Sequence, residues 1–252
     1  MPTLPVKAAI MKKPRFKNAL SALCLVAAGI GLVTVMATPA PAQYYPGGPL
    51  DWRRTLFAPF GQTTLHFEAP LGMCFLDQTD PVEAGAIDLI RQELKAKSKQ
   101  TLVAVFADCM QIAGIGKVNA AGESSGMTDV GLVTWLNEKG ERAGMDRETY
   151  LDAREMTMQN YTRAGLAGYL NPVIDTEGRR TPDGVSLGFT AETEISYQKY
   201  KTVGVTGATL IRGFPIDFMM THTAKRPTKE KQELYDLMDK FLAQQVALNA
   251  VE

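Results

Sequence analysis

Histidine, cysteine and tryptophan are scarce in this chain of 252 residues, which has two, three and two of them. A tetrahedral zinc site takes about four nitrogen, sulfur or carboxylate ligands, and the two histidines lie far apart in sequence. We therefore expect neither a zinc centre nor another bound cofactor. Low-complexity tracts are also missing, and the apolar share of 45% is typical of a globular protein rather than a disordered or fibrous one.

Acidic residues are absent from the first 42 positions, where five lysines and arginines precede the apolar run Ala19–Met36. The small residues Ala40-Pro41-Ala42 follow this run. A basic start, an apolar run and a small-residue site are the three parts of a secretory signal. The pattern predicts a signal peptide at 1–42, cleavage after Ala42 and a periplasmic or secreted protein. A retained membrane anchor is the alternative; after cleavage we expect no stable membrane span.

A basic surface is missing from the predicted mature chain, because removal of the signal leaves 22 basic against 27 acidic residues. Proteins that bind nucleic acid need clustered lysine and arginine to displace the counterions of phosphates. The mature chain offers only the short pairs Arg179-Arg180 and Lys225-Arg226. We therefore expect no nucleic-acid partner.

Two cysteines, Cys74 and Cys109, remain in the mature chain. An even count in an oxidising compartment favours a disulfide. Both cysteines fall in predicted strands, and a bond requires those strands to bring the two Cα atoms within roughly 7 Å. Two buried free thiols are the alternative.

Apolar periodicity predicts the secondary structure of the mature chain. Residues 43–59, with several prolines and glycines among Tyr44, Tyr45 and Trp52, are predicted to be a leader arm. Strands are expected at 63–69, 72–77, 101–110, 130–136, 185–197, 203–211 and 214–222, with a tight turn at Arg212-Gly213. Helices are expected at 81–97, near 146–165 and from 227, and polar loops at 111–129 and 171–184. Asp80 is expected to cap the first helix, with Glu83 reaching back to its amide.

Short turns between strands, with helices inserted between groups of strands, favour a largely antiparallel sheet covered by helices. The sequence therefore predicts one α+β domain over residues 60–252. The element order and the segments Leu65–Gly72 (LHFEAPLG) and Ile211–Asp217 (IRGFPID) resemble the Mog1/PsbP-like fold over most of the mature chain. This resemblance implies an accessory or binding protein without catalytic activity.

One segment matches a catalytic motif: Gly122–Gly126 has the G-x-S-x-G pattern of a hydrolase nucleophile elbow, with Ser124 as nucleophile. His222 follows in the right chain order, with Asp175 or Asp217 as the intervening acid. An elbow needs an apolar strand before the serine and a helix after it. The segment instead lies in a predicted polar loop, which produces the same pattern without catalytic meaning.

Methionine near histidine gives a second candidate site, because Met219, Met220 and His222 offer the soft ligands that suit Cu(I). Met156 and Met158 form a further methionine pair. The alternative is that these methionines fill gaps in the core.

Our leading hypothesis is an exported, non-enzymatic accessory or binding protein for an unknown protein or small ligand; a serine hydrolase comes second and a copper-binding protein third. A concave pocket formed by the loops at 111–129 and 171–184 would be the place to look for a ligand.

Overall fold

The computed structural model describes residues 51–97, 100–115, 127–136, 145–166, 169–195 and 198–250. In chain order these ranges form a 3-10 helix (Asp51–Arg54), β1 (Thr55–Phe60), β2 (Thr63–Glu68), β3 (Met73–Phe75), α1 (Pro81–Lys97), β4 (Gln100–Asp108), α2 (Cys109–Gly114), β5 (Asp129–Leu136), α3 (Arg147–Gly165), β6 (Leu170–Ile174), β7 (Arg179–Thr181), β8 (Gly184–Ile195), β9 (Gln198–Ile211), β10 (Phe214–Thr223) and α4 (Pro227–Leu248). The predicted signal peptide and the first part of the leader arm lie outside these ranges.

One sheet of eight strands dominates the described part of the chain. Its order is β3-β4-β5-β10-β9-β8-β6, and β7 also pairs with β8. Every pair in the sheet is antiparallel, while β1 and β2 form a separate antiparallel hairpin. Helices between groups of antiparallel strands define the α+β class, so the predicted fold class is confirmed.

Both faces of the sheet are covered, because successive side chains of a strand point to opposite sides. On β4, Ala104 and Phe106 belong to a cluster that contains residues of α4 and of the hairpin. Val105 and Ala107 pack with α1 instead. Further along the sheet, α3 covers β8 and β9 on a third cluster. The result is three layers, with α4 and the hairpin on one side and α1 and α3 on the other.

Aromatic rings fill the layer between the sheet and α4. Phe241 of α4 lies 5.0 Å from Phe218 and 5.8 Å from Phe106 between ring centroids. The Phe106 ring lies over Gly131, its partner on β5, where a Cβ would come within 2.0 Å of a ring carbon. Only glycine leaves room for this ring, so the pair fixes the register of β4 against β5.

The hairpin is attached to α4 by two amide side chains. Gln245 accepts a hydrogen bond from the Glu68 amide (3.1 Å) and donates to the Glu68 carbonyl (2.9 Å). Asn249 does the same with His66, at 2.8 and 2.7 Å. The two side chains, one helical turn apart, thus satisfy the backbone edge of β2 that β1 does not cover.

The start of α1 follows the predicted cap in part. Asp80 Oδ1 accepts from the amides of Val82 (2.9 Å) and Glu83 (3.1 Å), as expected of an N-cap. Glu83 does not reach back to Asp80. It is buried, and it accepts instead from the Asp77 amide (2.7 Å) and from Arg53 (2.9 Å), because the chain before the helix folds back over it.

Four segments have more regular structure than the sequence predicts. Residues 55–59 of the predicted leader arm belong to β1, and residues 109–114 form α2 with Asp108 as its N-cap. The predicted loop at 171–184 contains the strands β6 and β7. β1 alternates in burial, but its exposed positions include Phe57 and Pro59, so polar and apolar residues do not alternate in its sequence. β6 is an edge strand that is almost entirely exposed and shows no alternation.

The disulfide between Cys74 and Cys109 is confirmed, with the two Cα atoms 5.0 Å apart. Cys74 lies in β3, where Met73 pairs with Asp108 in the antiparallel register. Cys109 directly follows Asp108 at the start of α2. Pairing of β3 with β4 therefore brings the two cysteines together across 35 positions of sequence.

Candidate functional site

The described part of the chain contains a concave site beside α3, a cleft of about 380 Å³. It lies between α3, β8 and the segment that joins β6 to β7. The residues that line it are Glu155, Met158, Gln159, Thr176, Glu177, Gly178, Arg179, Val185, Ser186 and Leu187. Four of them come from the predicted loop at 171–184, so one of the two expected segments does line a pocket. Most of the other segment, 111–129, lies outside the described residues.

Two contacts tie α3 to the segment that joins β6 to β7 and to β7 itself. Gln159 of α3 donates to the Thr176 carbonyl at 2.9 Å, and Arg180 of β7 contacts Asp152 of α3 at 3.0 Å. Position 178 must be glycine, because a Cβ there would lie 2.5 Å from the Ser186 carbonyl oxygen. The segment between β6 and β7 is therefore held close to β8, and the cleft is formed before any ligand arrives.

The lining combines an apolar floor with a charged rim. Met158, Val185 and Leu187 are buried and belong to one hydrophobic cluster. Glu155 and Glu177 are exposed at the rim. With three apolar side chains among ten lining residues, the cleft is more polar than most ligand sites, which are predominantly apolar.

Arg179 connects the cleft to α4. Its guanidinium contacts Asp236 at 2.7 Å and Asp239 at 3.1 Å, and it lies over the Tyr235 ring. Desolvation on its own lowers the pKa of Arg179, but the two aspartates outweigh it and the pKa is raised from the ordinary value. Arg179 is therefore charged and already paired, which makes it a fixed part of the wall.

Tyr235 lies behind this wall, where its hydroxyl accepts from the Gly188 amide and donates to Asp175 at 3.1 Å. Burial raises the pKa of Tyr235, so the phenol stays protonated at neutral pH. Lys231 also pairs with Asp175. This cluster fastens the end of β6 to α4 and does not open into the cleft.

A second arrangement involves His222, one of the residues singled out in the sequence. Its Nδ1 contacts Asp129 Oδ1, and the other oxygen of Asp129 accepts from Gln111 at 2.8 Å and Thr128 at 3.0 Å. His222 and Asp129 are directly opposite in the register of β10 and β5. A carboxylate on Nδ1 orients an imidazole and leaves Nε2 for another partner, as in catalytic triads.

Asp217, the acid proposed for the triad, lies elsewhere. It is five residues from His222 along β10, about 17 Å at the usual rise of a strand, and an odd spacing puts the two side chains on opposite faces. Asp217 is buried and contacts Arg154 and Gln100, both at 2.7 Å. Asp175, the other acid considered, pairs with Lys231 and Tyr235. Ser124 lies outside the described residues, so only its partners are placed.

The proposed copper ligands are also divided between faces. Met220 is fully buried in the cluster beneath α4, on the same face as His222. Met219 points to the other face, where it packs against the clusters beneath α1 and α3. In the second methionine pair, Met158 is buried and Met156 is exposed. Among the described residues, moreover, no three histidine, cysteine, aspartate or glutamate side chains are grouped around a possible metal position.

Asp129, Gln111, Glu155 and Gln159 were not singled out in the sequence. Asp129 meets His222 only through the pairing of β5 with β10, 93 positions apart. The cleft residues of α3 lie on the flank of a helix, where polar residues are ordinary. The sequence therefore gives no signal for these α3 residues, which become candidates only because the segment around Gly178 lies beside them in the structure.

In comparisons with known proteins, no family model and no curated protein matches the chain. Of the helices in the described ranges, none has the length and apolar character to cross a membrane.

Proposed function

We propose that this chain is an exported, non-enzymatic binding protein whose ligand site is the cleft between α3, β8 and the β6–β7 segment. The cleft itself carries the proposal, since its walls are fixed, its floor is apolar and its rim is polar. The resemblance to the Mog1/PsbP-like fold, whose members are mostly accessory or binding proteins, also favours this function and stays a prediction.

Export is supported by the signal pattern of residues 1–42 and by the disulfide, because stable disulfides form mainly in oxidising compartments. The mature protein recovered from the periplasmic fraction should begin at Gln43. Mass spectrometry of its N-terminus tests this. An intact N-terminal region on protein in the cytoplasmic fraction would contradict export while leaving the cleft unaffected.

Binding at the cleft is tested by a fragment screen, read by ligand-observed NMR on the mature protein. We expect hits whose signals are lost in Glu155→Trp, because the indole occupies the mouth of the cleft. Met156→Trp is the matched control: Met156 is the next residue on α3 and is 81% exposed. Hits that survive Glu155→Trp, or a screen without hits, would refute the cleft as a binding site.

A serine hydrolase is the second candidate, and the contact between His222 Nδ1 and Asp129 favours it. A hydrolase based on Ser124 would be labelled by a fluorophosphonate probe. Labelling lost in Ser124→Ala and His222→Ala but kept in Ser125→Ala would replace the binding function with hydrolysis. Our proposal predicts no labelling that depends on Ser124.

A further inference from the structure

The charges around the cleft specify a class of ligand, an inference that rests on the proposed function. We propose that the cleft binds a small organic cation, an amine or guanidine attached to a compact apolar body. Three features carry this assignment: uncompensated negative charge at the rim, an apolar floor, and a volume that admits only a small molecule.

The rim has negative charge that the protein does not neutralise. Glu155 and Glu177 form no ion pair with any residue in the described ranges. The nearby basic side chains are already occupied: Arg179 by Asp236 and Asp239, Arg180 by Asp152 and Lys231 by Asp175. An incoming cation therefore meets two available carboxylates, whereas Arg179, the basic side chain of the lining, is already paired with carboxylates of the protein.

The floor offers no ligand to a bare metal ion, and no three histidine, cysteine, aspartate or glutamate side chains in the described ranges are grouped to hold one. Met158, Val185 and Leu187 offer a thioether and aliphatic carbons but no hard oxygen ligand. An apolar group placed on these side chains leaves water and gains roughly 25 cal/mol for each Å² that it buries. A cationic head at the glutamates and an apolar body on the floor use both parts of the cleft.

The volume limits the size of the ligand. A cleft of about 380 Å³ lies at the lower end of the range for small-molecule sites. A folded protein domain cannot enter, and the contacts of Gln159 with Thr176 and of Arg180 with Asp152 restrict widening. A single-ring amine or a guanidine on a short alkyl chain fits this space.

Three matched probes test the charge preference: phenethylammonium, 2-phenylethanol and 3-phenylpropionate. They share a phenyl ring and differ in the charge of the head group. Titration of the mature protein, followed by NMR, should give affinities in the order cation, neutral, anion. A single exposed ion pair contributes up to about 1 kcal/mol, so we expect the cation to bind about fivefold more tightly than the alcohol.

Variants at the rim test the assigned carboxylates. Glu155→Gln should weaken phenethylammonium binding about twofold, and Glu155→Gln with Glu177→Gln about fivefold, to the affinity of 2-phenylethanol, which itself should not change. Glu233→Gln, an exposed carboxylate on α4 away from the cleft, is the matched control. Added salt should weaken only the cation, since exposed charges are screened.

The outcomes separate this inference from the proposed function. If 2-phenylethanol or 3-phenylpropionate binds as well as phenethylammonium and Glu155→Trp abolishes that binding, the cleft is a ligand site but the cation assignment is wrong. If no probe binds and the fragment screen finds no ligand of the cleft, both proposals fail. Equal weakening by Glu233→Gln would also overturn the assignment.

Discussion

The buried ion pair of Arg154 and Asp217 is the strongest electrostatic feature at the residue scale. Arg154 is 1% exposed and Asp217 is 5% exposed, and their side chains meet at 2.7 Å. Burial lowers the pKa of Arg154, but the Asp217 carboxylate outweighs this effect and the pKa is raised. The pair links α3 to β10 through the interior. Loss of either charge would leave the other charge buried without its ionic partner.

Removal of the cation should therefore be costly. We expect Arg154→Met to lower the free energy of unfolding by about 3 kcal/mol, because the Asp217 carboxylate loses a charge partner inside the protein. Urea denaturation measures the change. The double variant with Asp217→Asn should lose less than the sum of the two single variants. Strictly additive losses would show that the pair is not coupled.

Asp146 gives the stability a dependence on pH. It precedes α3 and accepts from the Thr149 amide (2.9 Å) and hydroxyl (2.7 Å), and these hydrogen bonds lower its pKa below 3.8. Because the folded-state pKa is lowered, the stabilisation is present above 3.8 and is lost as the pH falls through the folded value.

Asp146→Ala should therefore have a lower urea midpoint than the wild type at a pH of about 7, and the gap should narrow at a pH of about 2.5. Asn160→Ala, which removes an exposed polar residue of the same helix without changing a titrating group, is the control. A gap that stays constant or widens in acid would contradict the assignment.

At the scale of elements, the attachment of the hairpin to α4 is the most specific feature of the fold. Gln245 and Asn249 replace a neighbouring strand along the edge of β2. Gln245→Leu should cost roughly 1–3 kcal/mol, because two backbone groups of Glu68 lose their partners. Hydrogen exchange of the Glu68 amide should accelerate as well. Gln232→Leu, on the exposed side of α4, should change neither quantity.

The elements that the sequence predicts well are those with one buried face. The alternation in β2 and the apolar stripe of α4 are strong because each contacts the core on one side only. β8 is the exception: it is buried on both faces, and its sequence alternates because the small residues Ser186 and Gly188 lie on the face towards α4. β6 and β7 were predicted as a loop because β6 is almost entirely exposed and β7 has only three residues. α2 has six residues, and its main signal is the cap Asp108, which lies within the strand predicted at 101–110.

The contacts of the candidate site could not be predicted from the sequence, because they depend on how distant segments of the chain pair. The register of β5 against β10 pairs His222 with Asp129, and alternation alone does not reveal which residue lies opposite. The cleft requires the β6–β7 segment to pass close to α3, and this follows from the position of β6 at the edge of the sheet. The segment 171–184 was nonetheless the right place to look for a pocket, since polar residues between regular elements often carry function.

At the scale of the whole molecule, the disulfide closes the part of the chain that contains α1 and β4. Cys74 lies in β3, an edge strand of three residues that has few hydrogen bonds of its own. A link across 35 positions restricts the unfolded chain and stabilises the fold by about 2–4 kcal/mol. The bond therefore holds an otherwise weak edge of the sheet to its neighbour.

Replacement of both cysteines by alanine should lower the free energy of unfolding by about 2–4 kcal/mol. Urea denaturation under non-reducing conditions measures this change. A reducing agent should destabilise the wild type to a similar extent and leave the double variant unchanged, which separates loss of the bond from loss of the side chains. Because β3 and α2 lie far along the sheet from α3 and β8, the double variant should keep its affinity for phenethylammonium. A wild type that is equally stable when reduced would show that β3 is held by packing alone.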